Sequence, residues 1–542
     1  MEKRLFLAIG LSLIIVWLWS AVAPKQNPPQ NIGDVVKNGE YNERANIKEG
    51  SVPFPSLSLE VSSETADKII EKVEVLNGEK LIAEFSNIGA SLNKVTIKEY
   101  DASLPISKVT AIKGYENVPF TLDRVSDGEI SYSFENSDLK IVKKYMIHSE
   151  DYIINAGVSF INKSNMSKLV NVSSGGYTIE MSNLENADYK TGKTEERDRS
   201  LQEYVVYSDA RIYRKAGAFK FSGKEAKEEF GRILWSGFRD RYFCALIKPQ
   251  YGTIGYDIVP ISDTRLKVEV KSEEVNVQPH GNVQFDSIIY VGPEKINVLK
   301  KYGLGFEKIK KYYRFLLFDV VAKIIESLMR LIYKVIPNWG ACIIIISIVI
   351  YFSMYPLTMK GMMSMKRMQS LQPLIVNLKE KYKDNPQKMN KEMMELYKEH
   401  KVNPLGGCFP MLLQMPVFIG LYQVLWRSVS FKGAHFLWIK DLSQPDRLFM
   451  LPFNVPMLGN EFNVLPVIMM VVMFFQQKLS SKNMVVTDPS QAAQQKMMTT
   501  IMPVFLGVIF YKFASGLTLY FTMFYFFSTF TQWKLSKDKK GA

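Results

Sequence analysis

Few side chains in this 542-residue chain are placed to make or break covalent bonds. The three cysteines, Cys244, Cys342 and Cys408, lie far apart and are odd in number, which excludes a disulfide framework and any CxxC-type zinc site. The four histidines, His148, His280, His400 and His435, are equally scattered, and none sits in an HExxH pattern. Glu228-Glu229 and Glu273-Glu274 are neighbours on loops or strands, so their carboxylates diverge, as solvated surface groups do. No GxxxxGK[ST] loop is present to cradle a nucleotide. Neither a metal, a cofactor nor a catalytic residue is therefore expected. Lys+Arg 68 against Asp+Glu 54 gives a net charge of +14, which suits nucleic acid or anionic lipid. The basic residues fall between long apolar runs, which favours anionic lipid and argues against nucleic acid as a substrate.

The elements that must position any site are those of a multi-domain membrane protein. Residues 1–23 carry an apolar run of about 19 residues, Leu5 to Ala23, long enough to span as a retained anchor, with Trp17 and Trp19 at the interface. Residues 24–56 are rich in Pro, Asn and Gly and too poor in apolar residues to fold, as a flexible linker would be. Residues 57–303 change to short alternating runs broken by turns, with an Asn77-Gly78 hairpin signal, and predict an all-β sandwich. Across 304–337, Asp319, Lys323, Glu326, Arg330 and Lys334 share one helical face and leave the rest apolar, the pattern of a helix lying in the membrane interface.

Five further apolar spans at about 341–357, 409–426, 462–477, 499–514 and 516–532 lie within residues 338–533, giving six spans in total. The 358–404 segment holds ten basic residues, whereas 427–461 holds Arg427, Lys432, Lys440 and Arg447; a basic tail occupies 534–542. The positive-inside rule then puts both termini in the cytoplasm and the β domain outside. Residues 359–404 read as a helical hairpin broken at Asp384-Asn385-Pro386. Its approach is rich in methionine. Met362, Met363 and Met365, with Lys366 and Arg367, form a candidate surface for receiving unfolded apolar segments.

Three strings are more specific. Asn338-Trp339-Gly340 opens a span that closes at Tyr355-Pro356-Leu357-Thr358; Asn403-Pro404-Leu405-Gly406-Gly407-Cys408-Phe409-Pro410 leads into Leu413-Gln414-Met415-Pro416-Val417-Phe418; and Ser515-Gly516-Leu517-Thr518-Leu519-Tyr520 opens the last span. In this order they resemble the YidC family of membrane protein insertases, of the Gram-negative type with a large periplasmic domain. The resemblance covers about 306–533 in detail. It implies a galactose-mutarotase-like periplasmic sandwich and a five-helix core in the bacterial inner membrane. It also implies a polar groove open to cytoplasm and lipid, and insertion of client chains without nucleotide hydrolysis. Nascent membrane proteins would be the clients, with the Sec translocon and the ribosome as further candidate partners.

By resemblance Ser347, Tyr351, Gln414, Thr518 and Tyr520 face the groove, and Met415, Pro416, Phe418, Pro503 and Phe505 form the apolar slide that clients contact. The sequence departs from the family at Tyr351, where an arginine is usual, so its groove is polar through hydroxyls and amides. A secondary transporter is the alternative, disfavoured because no inverted repeat is found and no Asp, Glu, Lys or Arg lies in the middle of a span, Lys512 standing two residues from the end of its own. A membrane-anchored sugar-active enzyme is a third reading, resting on the β domain alone.

Overall fold

The computed structural model describes residues 70–537, apart from 105, 171–175, 181–202, 210, 217–226, 261–264, 313–314, 384, 401, 403–408, 457 and 482–495. The anchor and linker expected over 1–56, and Asn403 to Cys408, lie outside the described residues.

Alternating strands from Val73–Asn77 to Asn282–Pro293 build two nine-stranded antiparallel sheets. The Asn77-Gly78 signal is a real hairpin: Gly78 N–H donates to the Leu81 carbonyl at 2.8 Å and Asn77 pairs with Ile82. Along Ile153–Asn162 every second residue is buried, including Ile154, Ala156, Val158 and Phe160. This period of two gives each sheet one apolar face. The two apolar faces meet in one core, where the Phe85 and Tyr145 rings of opposite sheets lie 4.7 Å apart.

The chain then passes through Phe306–Ile309 into a helical half. Its helices are α1 (Leu316–Val335), α2 (Trp339–Ser370), α3 (Gln372–Lys381), α4 (Pro386–Glu399), α5 (Phe409–Arg427), α6 (Val464–Ser481), α7 (Met502–Phe510, preceded by a π-helical turn at Met497–Ile501) and α8 (Ser515–Lys537). α8 packs on α6 and α2, and α1 packs on α5. Gly420 of α5 permits the latter crossing, since a Cβ there would stand 3.1 Å from the Ala322 backbone nitrogen. Among the described residues, Trp339–Gly361 is the one helix long and apolar enough to cross a membrane by length and composition alone.

Three elements differ from the sequence expectation. The helix that carries the second span does not break at Tyr355-Pro356-Leu357-Thr358, because α2 continues through Pro356 to Ser370. Proline removes one N–H but does not bar a helix whose remaining turns are bonded, and the Thr358 hydroxyl adds a bond to the Met354 carbonyl at 3.0 Å. The 32 residues of α2 reach about 48 Å, beyond a hydrocarbon layer of about 30 Å. Next, α7 stops at Phe510, short of residue 514.

The largest difference is at α1, whose charged stripe was expected to face water. Asp319 and Glu326 are instead buried, while Leu316, Leu317, Ile324, Leu331 and Val335 are exposed. Asp319 accepts the Tyr312 backbone N–H at 2.7 Å, and Glu326 pairs with Lys310 at 2.6 Å. The carboxylates are drawn inward because the segment before α1 offers them a donor and a cation.

Candidate functional site

Polar side chains gather where α8 meets α2 and α5. The Gln414 side-chain amide of α5 donates to the Tyr520 hydroxyl of α8 at 3.3 Å. Further along α8, the Tyr351 hydroxyl of α2 donates to Thr531 Oγ1 at 2.8 Å. Phe524 bridges the two pairs, its ring 6.3 Å from that of Tyr520 and 5.8 Å from that of Tyr351. Tyr351 and Tyr520 are both buried and Gln414 is half-buried. Gln414 is thus the expected groove residue that both holds a partner and meets the surface.

Ser347 and Thr518 are placed differently. Both are fully buried, and each hydroxyl turns back on its own helix, Ser347 to the Ile343 carbonyl at 2.6 Å and Thr518 to the Ala514 carbonyl at 3.4 Å. Their donors are taken, which leaves less for an incoming chain. Sequence reasoning missed Thr531 and three glutamines, Gln423, Gln476 and Gln532. The side-chain carbonyl oxygen of each glutamine is buried without a protein hydrogen-bond partner. A glutamine inside an apolar run is the signal that could have found them, since a neutral amide there is a donor and acceptor awaiting partners.

The expected slide residues lie on two helices and differ in exposure. Met415, Pro416 and Phe418 are half-buried on α5, and the Phe418 ring packs 5.2 Å from Phe521. Pro503 is buried and Phe505 faces outward, 58% exposed. Of the recruitment residues, Met363 and Arg367 are exposed on the last turns of α2, and the side chains of Met362, Met365 and Lys366 lie outside the described residues. Met368 instead joins a small cluster with Leu371, Ile375, Met393, Leu396 and Tyr397 that holds α3 against α4. Asn385 caps α4, its side chain accepting the Lys388 N–H at 3.1 Å.

The site is closed at the end where the β domain sits. Residues 428–463 cross the helix ends and tie them together. Gly516 donates to the Leu442 carbonyl at 2.9 Å and Ser515 to that of Gln444 at 2.7 Å. Asp446 accepts the backbone N–H groups of Val464 and Leu465 at the start of α6, both at 2.9 Å. The motif glycines permit this closeness: a Cβ on Gly340 would stand 2.0 Å from the Phe436 ring. The β domain grips the same end, Arg241 donating to the Trp426 carbonyl at 2.7 Å. Arg239 lies at 1% exposure, held by both oxygens of Glu294 at 2.7 and 2.9 Å and by the Lys311 carbonyl at 3.0 Å.

Comparison with known proteins points one way. Residues 331–541 match the family model of the 60Kd inner membrane protein, and residues 113–325 match that of the YidC periplasmic domain. The chain is 31% identical to a membrane protein insertase YidC of Pelobacter propionicus, over 96% of this chain and 97% of that one. It is 30% identical to a membrane protein insertase YidC of Geobacter metallireducens, over 83% and 87%. Among solved structures, a galactose mutarotase related enzyme from Lactobacillus acidophilus is similar over 40% of this chain and 97% of that chain, at 11% identity and a TM-score of 0.31.

Proposed function

The chain belongs to the YidC family of membrane protein insertases, and from that premise we propose that its helical half lowers the barrier to insertion with a neutral polar groove. It is an inner-membrane protein with a periplasmic β domain and acts on nascent membrane proteins. The transporter alternative gives way to this family.

The observation that carries the groove reading is the inverted polarity of the helical half. Gln414–Tyr520 and Tyr351–Thr531 are polar pairs inside it, while Phe352, Val471, Phe475, Phe505, Phe526 and Phe530 are exposed outside. Carrying a charged group to the bilayer centre costs about 2.5–3.5 kcal/mol on insertion scales. A recess of amides and hydroxyls that stays wet lets a short polar tail travel part of the way without leaving water. The orphan carbonyls of Gln423, Gln476 and Gln532 support such wetness, because buried amide oxygens take water when protein offers no donor. The client's own apolar segment then partitions into lipid, so no nucleotide need be hydrolysed. The membrane potential adds about 2.3 kcal/mol per charge per 100 mV in favour of moving acidic tails outward.

The same reading gives six spans with both termini cytoplasmic, since ten basic residues occupy 358–404 and the periplasmic β domain contacts the far end of α5. α1 lies in the outer interface, its carboxylates satisfied by protein and its exposed leucines in lipid. The helices α3 and α4 and the exposed Met363 and Arg367 receive clients on the cytoplasmic side. The Sec translocon and ribosome enter as partners through the family alone. With no arginine at position 351, polarity is distributed, and acidic tails are admitted by hydration rather than by a fixed cation.

Photo-crosslinking from Gln414 and Met415 to a nascent client tests the site. Adducts at both positions are expected, and an unlabelled client would remove the groove from the pathway. The double variant Gln414→Leu with Tyr520→Phe should slow insertion of a short-tailed client about 10-fold, the rate expected if roughly 1.4 kcal/mol of barrier lowering is lost.

A further inference from the structure

A two-stranded hairpin, Phe449–Val455 with Gly459–Phe462, projects from the segment between α5 and α6, and nothing in the activity described so far uses it. No charged residue occurs between Arg447 and Glu461, which pair at 2.9 Å across its base. Phe449 stacks on Phe462 at 4.7 Å, yet Phe449, Met450 and Phe453 are 49%, 58% and 61% exposed. An isolated two-stranded hairpin with its apolar side chains in water is marginal at best.

A second apolar tip stands beside it in the chain. Leu437 is 75% exposed and held at φ 51°, a left-handed conformation rare for leucine. The turn is pinned there by paired Phe436–Ile439 backbone bonds of 2.9 and 2.8 Å, and by the Phe436 ring against Gly340. The hairpin is rooted as firmly. Its first strand begins three residues after Asp446, which caps α6, and Asn463 at its other end donates to the Tyr511 carbonyl at 2.8 Å.

Which side of the membrane this is follows from the β domain. Arg241 of that domain reaches the Trp426 carbonyl at the end of α5, so the segment crosses the periplasmic ends of the helices. Resting on that periplasmic placement, we propose that Leu437, Phe449, Met450 and Phe453 form an apolar collar inserted into the outer-leaflet lipid interface. The occupant is lipid rather than a protein because the chain passes from this uncharged hairpin straight into a helix with an apolar exterior. The hairpin runs directly into α6, whose own outward face carries Val471, Phe474 and Phe475. The flanking charges, Arg447 and Glu461, stay at its base, where headgroups and water would meet them. Inserted at this depth, the collar fixes the height of the closed end of the groove relative to the bilayer.

The test uses the full-length protein in phosphatidylethanolamine–phosphatidylglycerol vesicles and in native membranes. A photoreactive benzoylphenylalanine is placed at position 453 and, as a control, at position 127 in a turn of the β domain. Lipid adducts at 453 and none at 127 are expected. Equal, near-absent lipid adducts at both positions, or a protein adduct at 453 in native membranes, would overturn the collar. Phe449→Asp should reduce the 453 lipid adduct at least fivefold while leaving the melting temperature in detergent unchanged; an undiminished adduct counts against insertion. Side is read separately, through labelling of Asp127→Cys by an impermeant maleimide added from the periplasmic side. Labelling only from the cytoplasmic side would overturn the outer-leaflet assignment while leaving lipid contact itself standing.

Discussion

The two halves of this molecule obey opposite rules of burial. In the β domain apolar side chains point inward, and a buried charge such as Arg239 is matched by carboxylates, those of Glu294 and Glu203. In the helical half the outer faces are apolar and the interior holds neutral hydroxyls and amides, Tyr351 with Thr531 and Gln414 with Tyr520. The contrast shows which solvent each half was built for. Water rewards apolar burial, whereas lipid is as apolar as leucine and leaves polar contacts and close packing to hold helices together. α1 lies at the boundary and shows both rules, with carboxylates turned to protein and leucines turned outward.

The comparison breaks most visibly if a buried charge in the β domain is left unmatched. Glu294→Gln takes the closer of two carboxylates from buried Arg239, leaving Glu203 at 3.3 Å, and should destabilise the fold by about 3–5 kcal/mol, read as a large fall in melting temperature of the detergent-solubilised protein. A fall of a degree or less would show that Glu203 and the backbone carbonyls of Ile309 and Lys311 hold Arg239 without Glu294.

A sharper case is Lys143, fully buried with no carboxylate bonded to it. Its ammonium donates to the Gly89 and Thr110 carbonyls at 2.7 and 2.8 Å and lies 5.5 Å from the Phe120 ring. Burial pulls it down to about 7. Below that pH the folded and unfolded chains both carry the proton. Above it, up to the ordinary lysine range, only the unfolded chain does, so stability should rise with pH. The gain should be about 2–3 kcal/mol between about pH 7 and about pH 9. Lys143→Met should flatten that rise, and a wild-type profile that falls over the same window would contradict the assignment.

In the helical half, packing carries the weight that charge pairing carries outside. Gly340→Ala drives a methyl into the Phe436 ring and should cost about 1–3 kcal/mol, measured by thermal unfolding in detergent. Unchanged stability would mean that the 428–463 segment can move off the helix ends. The smallest effect is expected at the position where the family usually carries arginine. Tyr351→Phe removes one interhelical bond worth about 0.6 kcal/mol and should leave insertion of a short-tailed client within about threefold of wild type. Loss as severe as that of the Gln414→Leu, Tyr520→Phe double variant would concentrate function at Tyr351.

Element types were legible without coordinates wherever one periodicity dominated. Alternation along 153–162 reads as a strand with Ile154, Val158 and Phe160 inward, and Asn77-Gly78 reads as a hairpin. Asp384-Asn385-Pro386 marks a helix start, and Asn385 indeed caps one. Prolines misled where a long helix could absorb them, as at Pro356. The candidate site was only partly legible. The family resemblance brought forward Gln414 and Tyr520, which touch, but equally Ser347 and Thr518, whose hydroxyls bond their own helices.

What the chain determined by itself is which residues share a face: side-chain directions follow from the helical and strand repeats. It also determined where charge cannot be buried cheaply, as in the bare stretch from 448 to 460. What only the tertiary structure decided is which way each face turns. The two α1 carboxylates, Asp319 and Glu326, point inward because the Tyr312 amide and Lys310 happen to stand there, and Tyr351 finds its partner 180 residues away on α8. Periodicity is local, whereas the choice between protein, lipid and water is settled by neighbours distant in sequence.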